Sequence, residues 1–191
     1  MSRSGAPARD VRACCDGAVR VREERDDDVE AVAAVHRAAF GGSEAAADEP
    51  VEVPLYRALR ASDAFVPELS LVATIDGHVV GHVICTRATL DGQIDVLGLG
   101  PVGVVPSLQG KGIGRAIIDR ALAASDALGF PLVCLLGDPK LYERFGFEPA
   151  RDRGIEAPDE SWGIHFQVQT LSTYDAAMTG RFAYAAPFDD V

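Results

Sequence analysis

The stretch from Leu97 to Leu128, LGLGPVGVVPSLQGKGIGRAIIDRALAASDAL, constrains this chain more than any other. An extended apolar run enters a glycine-rich turn, and a helical pattern leaves it. Ile113, Ile117, Ala121, Ala124 and Leu128 share one helix face, and Gly129 suits the position just past the end. Leu132 to Leu136 then reads as a buried strand, so the segment predicts a strand–helix–strand unit and an α/β fold. The turn Gln109-Gly110-Lys111-Gly112-Ile113-Gly114 carries three glycines, which allow a ligand close to the backbone. The helix start adds unsatisfied N–H groups and partial positive charge. Lys111 and Arg115 add full charges, and the ensemble suits a phosphate or pyrophosphate.

Spacing separates three kinds of glycine loop. A Walker loop needs four residues between its first glycine and Gly-Lys, followed by Ser or Thr. Here six residues separate Gly103 from Gly110, and Gly112 follows Lys111, so the magnesium-binding hydroxyl is missing. A G-x-G-x-x-G string occurs at Gly98, Gly100 and Gly103, yet the apolar run continues through Val105 to Pro106 instead of opening a helix there. The third pattern fits. Val102-Gly103-Val104-Val105-Pro106, two residues, then Gln109-Gly110-Lys111-Gly112-Ile113-Gly114 resembles the coenzyme A motif of the GNAT superfamily of N-acetyltransferases. Gly137 to Phe147, with Tyr142 ahead of Gly146-Phe147, is similar to that family's closing helix. From about Val19 onward, including Gly180 to Phe188, the chain resembles the YhbS-like branch of predicted acetyltransferases.

The resemblance implies a mixed, mostly antiparallel α/β sheet of six to seven strands, splayed at its central strand and flanked by about four helices. It implies direct transfer of acetyl from acetyl-CoA to a primary amine of a small molecule or protein, with no metal. Backbone groups of Gln109, Gly110, Lys111, Gly112, Ile113 and Gly114, with Arg115, would hold the pyrophosphate. Those of Val102 and Val104 would align the pantetheine arm, and the Val102 N–H would receive the oxyanion. Tyr142 would protonate the leaving thiolate, a phenol being protonated at neutral pH. Glu49 and Glu52 fall where the family recognises its acceptor. No residue announces itself as the base: Glu49, Glu52, Glu68, Asp95 and His165 are all conceivable, and water could relay the proton. The alternative is a non-catalytic acyl-CoA-binding or sensing protein.

The remaining sequence fits one domain of this kind over residues 18–191, with the coenzyme motif at 98–128 and a completing strand at 164–171. Residues 1–17 read as a disordered leader, and Ser43 to Glu49 as a mobile loop or a break between helices. A short strand is expected from Ala18 to Arg22. Asp26-Asp27-Asp28 should start a helix with Val29, Val32, Ala33, His36 and Phe40 on its apolar face. Val51 to Leu59 predicts a second helix, and Arg151 to Trp162 a long polar connection. Asp76-Gly77 and Asp91-Gly92 mark turns between extended runs. Pro101 inside the central strand marks an edge or a bulge. His78 and His82, four strand residues apart, lie about 13 Å from each other, too far to share a metal.

A net charge of −11 argues against nucleic acid and anionic membrane as partners and suits a cationic amine. No apolar run approaches the roughly 20 residues of a membrane helix. Cys14, Cys15, Cys85 and Cys134 match neither a zinc site nor a C-x-x-C pair. A cytoplasmic monomer or homodimer is therefore expected.

Overall fold

The structure is a computed structural model that describes residues 17–41 and 49–190. Nine strands form its frame: β1 (Arg20–Glu23), β2 (Phe65–Ile75), β3 (His78–Leu90), β4 (Ile94–Val104), β5 (Leu132–Leu136), β6 (Glu148–Pro149), β7 (Ile155–Glu156), β8 (Phe166–Thr170) and β9 (Gly180–Ala183). They run in the order β1-β2-β3-β4-β5-β8-β6, with β9 joining the far end of β3 and the short β7. Pairing is antiparallel except between β4 and β5 and between β7 and β9. The parallel β4–β5 step is the strand–helix–strand unit expected from Leu97 to Leu136.

The two long hairpins follow from their turns. Asp76 and Gly77 (φ 49° and 82°) and Asp91 and Gly92 (φ 49° and 66°) all lie in the left-handed region. That is the geometry whose twist matches the flanking strands, and it fixes the registers of β2–β3 and β3–β4.

Among the described residues, four α-helices cover the sheet: α1 (Val29–Phe40), α2 (Glu52–Arg60), α3 (Ile113–Ala127) and α4 (Pro139–Tyr142). Successive strand residues point to opposite faces. Gly103 faces α1, where a side chain would meet His36, while Val104 faces α3 and lies against Gly114. The larger core fills the α3 side with Leu71, Val83, Leu97 and Ile117; smaller clusters around Leu59 and Val72 lie under α1 and α2.

Several expectations shift. The first strand begins at Arg20 and the last long one at Phe166, because Glu160–His165 coil into 3-10 turns. β7 interrupts the expected connection, and β9 adds a strand that no alternating pattern announced. Phe40 is 40% exposed, although its ring stacks on His36 of the same face at 5.9 Å. Cys85 and Cys134 are buried, and burial raises both thiols, that of Cys85 to about 12. Cys14, Cys15, residues 1–16 of the expected leader and 43–48 of the expected loop lie outside the described residues. Among the described residues, no helix is long and apolar enough to cross a membrane.

Candidate active site

Strands β4 and β5 pair only at Leu97–Val133 and Gly98–Cys134, and beyond Gly98 they part. On the other edge of β4 the register slips, so that Gly100 and Pro101 face the single residue Ile84. This is the bulge that Pro101 predicts. The Val105 N–H donates to the Val80 carbonyl at 3.0 Å. Strand alternation then turns the N–H and C=O groups of Val102 and Val104 away from β3, toward the opening. The Gln109 amide donates to the Val104 carbonyl at 3.0 Å. Its side chain thus braces the turn against the strand, while both backbone groups of Val102 face the gap.

The glycine turn continues from that strand end. Gly110 and Gly112 adopt φ of 74° and 85°, which a Cβ would disfavour, and Gly112 occupies the N-cap of α3. Ile113 is buried and anchors the helix start under the sheet. Lys111 is exposed. Arg115 is exposed too and pairs with Asp119 one turn along, at 3.4 Å. The expected phosphate cradle is therefore a backbone feature, contiguous with the opened strand.

A cavity of about 820 Å³ occupies the gap, walled by Leu99 to Val102, Leu136 and Tyr142. Asp138 caps α4 by accepting from the Lys140 N–H at 3.0 Å, and Pro139 takes its first position. That short helix lays the Tyr142 ring over Gly137, edge-on to Phe147 at 5.8 Å. Burial raises its phenol above the ordinary value. Tyr142 and Val102 thus share one cavity wall.

The acidic pair divides. Glu52 lines the cavity, whereas Glu49 binds Arg37 at 2.5 Å and lies 4.0 Å from Arg57, tying the chain ahead of α2 to both helices. Glu68, Asp95 and His165 are exposed and do not line this cavity.

Sequence reasoning missed a buried polar chain beneath α1 and α2. Both histidines entered it singly, His36 on the apolar face of the first helix and His82 as one of a pair too far apart to share a metal. The Glu24 carboxylate, 1% exposed, accepts from Tyr56 Oη at 2.6 Å, from Arg60 Nε at 2.7 Å and from Ser70 Oγ. Ser70 spends its one hydrogen there, so it accepts from His82 Nε2 at 3.0 Å. The Nδ1 of neutral His82 then accepts from His36 Nε2 at 2.8 Å. His36 Nδ1 keeps a lone pair near Gly103 with no partner among the described residues. One carboxylate therefore dictates both tautomers.

Hydrogen bonds to that carboxylate outweigh its desolvation and hold Glu24 down at about 2. Burial lowers His82 and takes His36 to about 3. Unfolded histidine titrates near 6.5 and unfolded glutamate a little above 4. Below those values the unfolded chain binds protons that the native chain refuses, so stability falls as pH falls. The expected result is a urea midpoint that is flat above pH 7, declines below about 6.5 and declines faster below about 4.5. An unchanged midpoint between pH 7 and pH 4 would contradict the buried, neutral chain.

Residues 20–150 match the sequence profile of the acetyltransferase (GNAT) domain. Over 143 residues the chain is 34% identical to the uncharacterized N-acetyltransferase YjhQ of Escherichia coli K12, covering 71% of this chain and 79% of that protein. It is 33% identical to the uncharacterized N-acetyltransferase YhbS of the same strain, over 70% and 78% of the two chains. The crystal structure of E. coli YhbS in complex with CoA superimposes with a TM-score of 0.80 at 28% identity, covering 93% of this chain and 95% of that one. A GNAT family acetyltransferase from Brucella melitensis, in complex with acetyl-CoA, gives 0.73 at 33% identity over 91% and 99%. The splayed β4, the glycine turn at α3 and these matches agree: the chain belongs to the GNAT family of acetyltransferases.

Proposed function

We propose that this chain transfers acetyl from acetyl-CoA directly to a primary amine, the reading carried by one juxtaposition. The unpaired backbone of Val102 and the Tyr142 phenol line one cavity, and the strand that carries Val102 runs on directly into the glycine turn at the start of α3. Acetyl-CoA supplies the thioester. The turn from Gln109 to Gly114 offers N–H donors and a positive helix end to the pyrophosphate. Val102 offers an N–H and a C=O at the spacing of a strand partner, so the pantetheine amides can pair there as an added strand. The neutral amine attacks the thioester carbon, and the carbonyl oxygen gains charge as the C–N bond forms. A preorganised N–H at Val102 stabilises that charge without reorganisation. The C–S bond then breaks, and the sulfur takes the Tyr142 proton, leaving an amide and the free thiol of coenzyme A. Solvent takes the amine proton and restores the phenol. No metal takes part, and the free buried thiols suit a cytoplasmic protein.

Isothermal titration of the full chain tests the reading. Acetyl-CoA is expected to bind with micromolar affinity, and NADH and ATP to give no comparable heat. Gly112→Val forces a β-branched residue into the left-handed N-cap, at a cost of about 1–2 kcal/mol, and displaces the N–H groups it holds. The variant should melt cooperatively yet bind acetyl-CoA about tenfold more weakly. Absence of heat with the folded parent chain would remove the assignment.

A further inference from the structure

The cavity continues past the splayed strands, and its far half has a different character. Phe40 and Leu55 enter from α1 and α2, while Trp162, Tyr184 and Phe188 enter from the last third of the chain. The rings form a connected series: Trp162 to Tyr184 at 6.3 Å between centroids, and Tyr184 to Phe188 at 4.4 Å. Tyr184 begins that series at Gly98, where a Cβ would approach its ring to 2.7 Å. Gly98 is the last residue of β4 paired to β5, so the rings start beside the place where the thioester would lie. Phe188 in turn packs against the cluster of Leu55 and Leu59, which fixes the chain's last turn on α2.

The charges on this wall are few and mostly negative. They are Glu52, Asp159 and Asp189, opposed by Arg181. Arg181 already donates to the Pro158 carbonyl at 2.9 Å. Aromatic faces hold a cation as well as an apolar body, and the carboxylates add to the attraction.

From these features we infer that the acceptor is a small primary amine on an apolar, ring-bearing body, an arylalkylamine in chemical class. The inference rests on the acetyl-transfer reading above. A polyhydroxylated amine needs a partner for every hydroxyl it buries, and a wall of rings with three carboxylates and an arginine already bonded to the Pro158 carbonyl supplies few, which is costly. A polyamine needs carboxylates spaced along an open groove. An extended peptide needs a strand with free backbone partners, and β9, the strand on the far wall, is already paired with β3 and β7. The cavity lies in the upper range for small-molecule sites, roughly 300–1,000 Å³, and must also admit the pantetheine arm. The space left fits a molecule of one or two rings.

The test is thiol release by the full chain with acetyl-CoA and four acceptors: 2-phenylethylamine, n-propylamine, spermidine and a lysine-containing tripeptide. The kcat/KM for 2-phenylethylamine should exceed that for each of the others by about tenfold, the value of one good ring contact. Trp162→Leu and Phe188→Leu should each raise KM for 2-phenylethylamine about fivefold and leave KM for acetyl-CoA in place. Equal use of ring-bearing and ringless amines, or preference for spermidine or the tripeptide, would overturn the inference. Heat on titration with acetyl-CoA separates the two levels. If it is present, only the acceptor class falls; if it is absent, the acetyl-transfer reading falls and takes this inference with it.

Discussion

Glu24→Gln is expected to destabilise the protein by about 3–5 kcal/mol, because it removes the one formal negative charge on which a buried set of donors converges. Arg60 Nε, Tyr56 Oη, Ser70 Oγ and, at 3.4 Å, His82 Nε2 all address this carboxylate. A glutamine accepts through one oxygen only and presents two N–H groups to neighbours that are donors themselves. The Arg60 guanidinium, 25% exposed at its side chain, retains Asp26 at 2.6 Å, so the loss falls on the buried members. For a chain of 191 residues the melting temperature should drop by roughly 10 °C. Tyr56→Phe, which deletes one hydrogen bond and leaves the charge, should cost only about 1–2 kcal/mol. Glu24→Gln should also lose the steep part of the acid decline below pH 4.5, because its residue 24 no longer titrates. Equal losses from the two substitutions would mean that the network is held by packing of the rings and not by the carboxylate.

That network shows why parts of this protein were legible in sequence and others were not. The glycine turn, the two Asp-Gly hairpins and the bulge at Pro101 are local: each is dictated by residues within a few positions, and each appears where the pattern places it. The α/β frame and the splay next to β4 follow from those local signals. Glu24 lies just past β1, while His36, Ser70 and His82 come from α1, β2 and β3, and no spacing connects them. Only strand register and the docking of α1 bring them together. His36 entered the sequence reading as a packed residue, and it is both packed and hydrogen-bonded. Glu49 illustrates the converse. Its position ahead of α2 suggested substrate recognition, but Arg37 and Arg57 converge on it from two helices. The ring wall was hidden for a third reason. Trp162 lies in a polar segment and Phe188 in the tail, and both reach Tyr184 only because β9 returns the chain to the end of β3.

Tyr142→Phe is expected to lower kcat on the order of 100-fold while acetyl-CoA binds as before, since general acids contribute about that much or more. The substitution removes an oxygen and keeps the ring that packs on Gly137 and Phe147, so the cavity wall should survive. A residue that merely lines the site would change KM and leave kcat. Burial raises this phenol, so the acid form persists through the alkaline range in which unperturbed tyrosine begins to ionise near pH 10. In the parent chain kcat should therefore show no alkaline fall before pH 10, while kcat/KM rises with pH as the acceptor ammonium deprotonates. In the phenylalanine variant water must protonate the departing thiolate. Acceptors that attack equally well should then converge on one slow rate, set by thiolate departure. Tyr184 supplies the control, because its buried phenol belongs to the ring series on the far wall. Tyr184→Phe should leave kcat within about twofold. A large kcat loss from Tyr184→Phe with none from Tyr142→Phe would transfer the acid role to the other phenol.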